Sequence, residues 1–79
     1  MKNLEEQLQE LVAGKLGVEK NEIVSKARFR EDLGASRLDL VRIVQRTEEL
    51  LKVNIRDCEW NTEDSFTFGM FVEVVKGKL

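Results

Sequence analysis

The sequence lacks histidine, proline and tyrosine altogether, and it contains a single cysteine, Cys58. Without histidine, the commonest general base and a common metal ligand are missing, and one cysteine allows neither an internal disulfide nor the spacing of a zinc site. No apolar run approaches the ~20 residues that a membrane-spanning helix needs. We therefore expect no catalytic residues, no metal site and no membrane span, and we do not expect an enzyme.

Neither sign of charge dominates the chain, because 13 basic and 15 acidic residues give a net charge of −2. A nucleic-acid-binding domain is usually strongly basic, so this balance argues against a nucleic-acid partner. The 79 residues suffice for one small domain, and 42% of them are hydrophobic, enough to bury a core. We expect residues 1–79 to form a single monomeric domain. The lone cysteine and the lack of a signal-peptide pattern indicate a cytoplasmic location.

The most strongly patterned helix lies in the middle of the chain. At ~100° per residue, one side of it collects an apolar stripe: Leu40, Ile43, Val44, Thr47, Leu50 and Leu51. Ser36 and Asp39 fit the capping-box pattern, in which each side chain accepts a hydrogen bond from the other residue's backbone N–H. The helix is therefore predicted to begin at about Arg37. Leu38 and Val41 fall outside the stripe and give the helix a second, smaller apolar patch.

Two further helices are predicted towards the ends of the chain. In residues 2–16, Leu and Val recur at helical spacing, with Asn3 as a cap and Gly17 able to take the left-handed conformation that ends a helix. Near the other end, Thr67 can cap a helix that Gly77 would end, with its apolar face formed by Phe68, Phe71, Val72 and Val75. The β-branched run there could instead favour a strand, but no partner strand is evident elsewhere.

The connection between the first two helices, residues 18–35, is long for a small domain and needs anchors. Its candidate anchors are apolar: Val18, Ile23, Val24, Phe29 and Leu33. Further along, Asp57 can cap one short turn, Cys58 can pack as a small apolar residue, and Trp60 can cover the core with its indole N–H near water or a carbonyl. Together these elements predict an all-α fold, a small antiparallel helical bundle of three main helices plus a short helix.

Several stretches of the chain resemble one known family. They are Phe29 with Glu31-Asp32-Leu33-Gly34-Ala35, Leu38-Asp39-Leu40-Val41, Val53-Asn54-Ile55-Arg56-Asp57, and Thr67-Phe68-Gly69. These stretches resemble acyl carrier proteins, whose centre reads F-x-E-D-L-G-A-D-S-L-D. In that family the serine carries 4′-phosphopantetheine at the start of the second helix and delivers acyl groups to acyl-transfer or synthase-type enzymes. The resemblance covers nearly the whole chain and implies the same fold, cofactor and class of partners.

The family's attachment serine falls on an arginine in this chain. Counted from Gly34 and back from Leu38, the family's Asp-Ser pair corresponds to Ser36 and Arg37, and a guanidinium cannot form the phosphodiester. Ser36 offers a hydroxyl one residue early. Two interpretations stay open: Ser36 is a structural N-cap, or it is an attachment site out of frame, with the phosphate at the positive end of the helix dipole.

The second helix also differs in charge from the acidic helix on which partners of acyl carriers dock. Residues 36–52 contain four basic and three acidic side chains, and Arg42 stands where the family commonly has an acidic docking residue. Such a helix would match a basic groove poorly, because like charges facing each other are unfavourable. As an alternative to docking, the arginines can simply pair with acidic residues along the helix.

Two main hypotheses about function follow. The first is an acyl carrier protein homologue that would shuttle or present acyl groups in fatty-acid or polyketide-type metabolism, with the attachment serine apparently missing; Phe66 and Met70 would then either line an acyl-chain cleft or fill the core. The second is a carrier-fold interaction module without a prosthetic group. Its predicted partner-binding residues are Arg37, Leu38, Val41, Arg42 and Arg46. A third hypothesis, nucleic-acid binding through the arginine row, is disfavoured by the near-neutral charge.

Overall fold

The computed structural model describes residues 3–56, 60 and 65–79. This part of the chain forms three α-helices, α1 (Leu4–Leu16), α2 (Arg37–Leu51) and α3 (Phe68–Lys78), and one 3₁₀ turn at Lys20–Glu22. It contains no strand beyond an isolated bridge between Arg28 and Thr67. The prediction of an all-α fold is confirmed. The short helix expected after Asp57 and the packing of Cys58 lie outside the described residues.

The first two helices pack side by side and run antiparallel. Lys15, near the end of α1, lines the same hollow as Arg42 in the first half of α2. Gln7, in the first half of α1, lines the adjoining hollow together with Leu50 at the end of α2. The loop between the two helices therefore joins neighbouring helix ends, and along its course it contacts the start of α3.

Each helix begins at the residue that the sequence pattern predicts. The side chain of Asn3 accepts from the Glu6 N–H at 2.8 Å, Ser36 caps α2, and Thr67 Oγ1 accepts from the Met70 N–H at 3.2 Å. These caps satisfy N–H groups that the first turn of a helix leaves without partners. Sequence reading succeeds here because a cap is a contact between residues three positions apart.

Of the two helix ends assigned to glycines, one prediction is correct and one is wrong. Gly17 takes the left-handed conformation at φ 69° and closes α1, as predicted. Gly77 does not end α3, which continues to Lys78, because positive φ is confined to Gly17, Gly34 and the non-glycine Lys52 among the described residues. The prediction for Gly77 was wrong, since a glycine that keeps helical dihedrals does not stop a helix.

Four phenylalanines form the centre of the core. Phe29 stacks on Phe66 with ring centroids 5.5 Å apart, and it meets Phe68 and Phe71 edge to face at 6.5 and 5.8 Å. The offset and edge-on arrangements are the ones that aromatic quadrupoles favour. Around the rings lie buried aliphatic residues of all three helices: Leu8, Val12, Leu40, Ile43, Val44, Val72 and Val75.

The long first loop is fastened to the start of α3 through its backbone. The Phe68 N–H donates to the Ala27 carbonyl at 2.9 Å, the Gly69 N–H donates to the Ser25 carbonyl at 3.0 Å, and the Phe29 N–H donates to the Phe66 carbonyl at 3.1 Å. Two N–H groups in the first turn of α3 thus find partners in the loop. These backbone hydrogen bonds hold the loop against α3, although the only helical segment within the loop is the 3₁₀ turn.

Two apolar residues that the sequence pattern assigns to the core lie at the surface instead. Val24 is 52% exposed, because the neighbouring Ile23 is fully buried and takes the core position. Leu50 is also 52% exposed, since it sits at the edge of the α2 stripe, beside the hollow between α1 and α2. Of the remaining predicted anchors, Phe29 and Leu33 are buried, and Val18 is partly buried against the core.

Candidate functional site

Backbone hydrogen bonds in the loop before α2 fix the position of Ser36. The Asp32 N–H donates to the Arg28 carbonyl at 2.9 Å, and the Ala35 N–H donates to the Phe29 carbonyl at 2.8 Å. Leu33 and Ala35 are buried on either side of Gly34, whose φ of 69° suits a residue without a Cβ atom. Because two buried side chains flank the turn, Ser36 is held at a defined position, and α2 begins directly after it.

One arginine organises the acidic end of this loop. Arg28 pairs through Nη1 with Glu31 at 2.9 Å and through Nε with Asp32 at 3.4 Å. Its backbone N–H also donates to the Asp32 carboxylate at 2.8 Å. This backbone hydrogen bond is the main cause that holds the pKa of Asp32 below its usual value. All three side chains are about half exposed, so the ion pairs themselves contribute little to stability.

The predicted capping box is present at the start of α2. The Asp39 N–H donates to Ser36 Oγ at 3.2 Å, and the Ser36 N–H donates to Asp39 Oδ2 at 3.0 Å. The backbone hydrogen bond from Ser36, followed by the side-chain hydrogen bond between the two residues, lowers the pKa of Asp39. Asp39 is therefore a carboxylate at neutral pH, and the Ser36 hydroxyl is engaged with it.

Arg37 is the first residue of α2 and is exposed. It follows the capping residue directly, which places its side chain at the rim of the helix N-terminus. Leu38 is next and is 58% exposed. The guanidinium thus occupies the surface position next to the cap, where the sequence resemblance places a serine hydroxyl.

The five predicted partner-binding residues do not share one face of α2. With ~100° of rotation per residue, Leu38 and Arg42 lie ~40° apart, whereas Arg37 and Arg46 lie on opposite sides of the helix. Val41 is partly buried and packs against the core. The structure therefore places Arg42 and Arg46 together on the side of α2 that faces α1, with Leu38 next to Arg42, and leaves Arg37 on the far flank.

A hollow of about 720 Å³ between α1 and α2 brings in residues that the sequence prediction missed. Its lining combines Glu10, Leu11, Gly14 and Lys15 of α1 with Arg42, Gln45, Arg46 and Glu49 of α2. Lys15 was absent from the predicted set, because sequence periodicity does not show which surface residues of one helix approach the surface of another. The signal that could have found it is the antiparallel pairing of the two helices.

Phe66 and Met70 do not form a joint cleft wall. Phe66 is 2% exposed and stacks on Phe29, whereas Met70 is 43% exposed. Of the two earlier interpretations, core filling is the one that describes Phe66. Trp60 is also buried, at 3% exposure, and its indole N–H meets no hydrogen-bond acceptor within the described residues.

The described part of the chain has neither a metal-binding cluster nor a membrane-spanning helix. Residues 3–56, 60 and 65–79 contain no group of three or more His, Cys, Asp or Glu side chains placed to hold a metal ion. Among the helices of the same residues, none has the length and apolar character to cross a bilayer.

Comparison with known proteins identifies a relative of this chain among acyl carrier proteins. The chain is 43% identical over 54 residues to an acyl carrier protein of Rubrobacter xylanophilus, an alignment that covers 68% of this chain and 67% of the relative. No protein-family model matches the sequence. The similarity extends over about two thirds of both proteins, so it is not confined to a short motif.

Proposed function

Since this chain belongs to the acyl carrier protein family, we propose that it docks on an acyl-transfer or synthase-type enzyme without carrying 4′-phosphopantetheine on α2. Acyl carrier proteins are carriers without catalytic activity, and on this ground the chain is not an enzyme. The proposal keeps the family's mode of working, recognition by a larger enzyme, and removes the covalent arm. We also propose that the protein acts as a monomer in the cytoplasm.

The observation that carries the proposal is Arg37 at the first position of α2. Attachment of phosphopantetheine requires a hydroxyl oxygen that attacks a phosphate and becomes its ester. A guanidinium has only N–H groups and stays charged in proteins. The residue in the family's attachment position therefore does not fit the prosthetic group.

The neighbouring hydroxyl fits the group poorly as well. Ser36 Oγ is engaged with Asp39 through the capping box. A phosphodiester on this oxygen would remove the hydroxyl hydrogen and bring a negative charge close to the Asp39 carboxylate. The dipole of α2 would favour that charge, but the adjacent carboxylate would oppose it at shorter range.

A second candidate function keeps the arm on Ser36. It is favoured by one observation, that Ser36 is an exposed hydroxyl at the N-terminus of α2. In this case the protein would shuttle or present acyl groups in fatty-acid or polyketide-type metabolism, as carriers with an arm do. We rank this function below the first, because the added phosphate would lie close to the Asp39 carboxylate in the capping box.

Mass spectrometry separates the two functions. The chain is co-expressed with a broad-specificity phosphopantetheinyl transferase, alongside an active acyl carrier protein as positive control, and intact masses are compared. We expect no mass gain in this protein while the control gains one phosphopantetheine unit. A gain in the wild type that disappears in Ser36→Ala would contradict the first function and support the second.

A further inference from the structure

The hollow between α1 and α2 is one part of a longer groove. A second hollow of about 410 Å³, lined by Gln7, Glu10, Leu11, Arg46 and Leu50, shares three of its residues with the first. Along α1 the groove extends from Gln7 to Lys15, which corresponds to ~12 Å of helix axis. This length matches about two turns of a partner helix that lies along the groove between α1 and α2.

The walls of the groove are basic once the existing ion pairs are counted. Glu49 pairs with Arg46 at 3.7 Å, and Glu10 pairs with Lys20 at 3.3 Å. Among the described residues, neither Lys15 nor Arg42 has a carboxylate within ion-pair distance. One uncompensated cation therefore lies on each side of the groove, one from α1 and one from α2.

Asp39 is the acidic group that acts on Arg42 along α2 itself. Its attraction to Arg42 is the weakest of the influences on the Asp39 carboxylate, because the Ser36 hydrogen bonds dominate. Asp39 is thus held in the capping box, at the start of the helix. Arg42 remains able to bind a carboxylate from outside.

The groove is open to solvent, and its apolar surface comes mainly from two leucines. Leu11 is partly buried at its centre, and Leu50 is half exposed at one end. Gly14 lies inside α1, and a Cβ atom built on it would meet nothing within 4 Å. Glycine is unfavourable inside a helix, and here its effect is to leave room for another chain to approach the backbone of α1.

From these features we propose that the groove binds an acidic amphipathic helix of a partner protein. Apolar side chains of that helix would lie on Leu11 and Leu50, and carboxylates on its flanks would pair with Lys15 and Arg42. Helices commonly bind in grooves through such a stripe of apolar anchors. The inference rests on the docking role proposed above, and it specifies the partner surface as acidic, since opposite charges across an interface favour the correct partner.

A pair of synthetic peptides tests this directly. The first is a helical peptide of about 16 residues, long enough to hold a helix, with Leu along one stripe and Glu on both flanks; the second has Lys in place of every Glu. Each is titrated into the ¹⁵N-labelled chain at low and physiological salt. We expect the Glu peptide to bind, and its amide shifts to concentrate at Leu11–Lys15 and Arg42–Leu50.

Matched charge reversals identify the groove as the site. Lys15→Glu and Arg42→Glu should each weaken binding of the Glu peptide by tenfold or more. Arg37→Glu makes the same charge change ~140° around α2 from Arg42 and should leave the dissociation constant within about twofold. A neutral obstruction, Gly14→Gln, should also weaken binding, while circular dichroism confirms that each variant is folded.

Several outcomes would overturn the inference. They are no binding of the Glu peptide, equal binding of the Lys peptide, shifts outside the groove, or an equal effect of Arg37→Glu. Displacement of the Glu peptide by an oligothymidine at lower concentration would likewise contradict it, because that would make the groove a nucleic-acid site. The peptide assay needs no prosthetic arm, so its failure is distinguishable from a failure of the mass-spectrometry test.

Discussion

Ser36 and Asp39 each satisfy the other's backbone N–H, and this pair fixes where α2 begins. Replacing Ser36 by alanine should lower the free energy of unfolding by about 1 kcal/mol, the usual effect of losing a cap. Ser36→Asp should retain most of the stability, because aspartate is an equally good N-cap. Urea denaturation of the three proteins at neutral pH measures both effects.

Ser36→Ala should also change the pKa of Asp39, which a purely steric role of Ser36 would not do. The pKa of Asp39 is held low first by the Ser36 backbone N–H and then by the Ser36 side chain. Ser36→Ala removes the second hydrogen bond, so the pKa of Asp39 should rise towards its ordinary value. A ¹³C NMR titration of the side-chain carboxyls measures it, with Asp32 as internal control, since its pKa depends on Arg28.

The sign of the pH effect follows from the direction of that shift. A carboxyl whose pKa is lowered by folding stabilises the native state above the pKa of the unfolded chain, ~3.9 for aspartate. This contribution is lost as the pH falls through the lower, folded-state pKa. The stability difference between wild type and Ser36→Ala should therefore narrow in acid. A difference that stays constant down to acid pH would mean that Asp39 is not coupled to Ser36.

Individual surface residues show the limit of sequence reasoning. Caps such as Asn3 and Thr67 were predicted correctly, because the interacting groups are three residues apart. Val24 and Leu50 were assigned to the core wrongly, since an apolar residue at the edge of a stripe is buried only if a neighbouring element covers it. Sequence periodicity shows the direction of a side chain and does not show what lies there.

At the level of the helices, two glycines with opposite surroundings provide a matched comparison. A Cβ atom on Gly69 would lie 3.0 Å from the Ser25 carbonyl oxygen, whereas one on Gly14 would meet nothing within 4 Å. Gly69→Ala should destabilise the fold by about 1–2 kcal/mol, because that carbonyl is held by the Gly69 N–H. Gly14→Ala should stabilise it by about 0.5–1 kcal/mol through helix propensity.

Thermal and urea unfolding of the two variants measure this contrast. Equal effects of the two substitutions would contradict the close approach of the first loop to α3. The comparison also separates two reasons for a glycine inside a helix: Gly69 admits the loop, and Gly14 leaves the groove open. The sequence shows both glycines but not which of them has a neighbour.

The arrangement of helices was predictable in part. The apolar stripes of α1, α2 and α3 predicted three helices and most of the core, since burial on one face repeats every 3.6 residues. The attachment of the first loop to α3 was not predictable, because it depends on backbone hydrogen bonds such as Phe68 N–H to the Ala27 carbonyl, which no side-chain pattern encodes. The groove was missed for a related reason, as it needs α1 and α2 together.

For the molecule as a whole, the family and the attachment residue point in different directions. The chain belongs to the acyl carrier protein family, and its fold is the helical bundle that this membership implies. The position after the cap nevertheless holds Arg37, and residues 36–52 carry more basic than acidic side chains. Under the function proposed above, the scaffold serves docking without the arm and without the acidic docking surface of the family.

Restoring the hydroxyl tests this central claim most directly. Arg37→Ser is incubated with a phosphopantetheinyl transferase and coenzyme A, and intact and peptide masses locate any added unit. The account predicts that the variant gains one phosphopantetheine unit on residue 37 while the wild type gains none. A folded Arg37→Ser that stays unmodified, or a unit found on Ser36 in either protein, would contradict it.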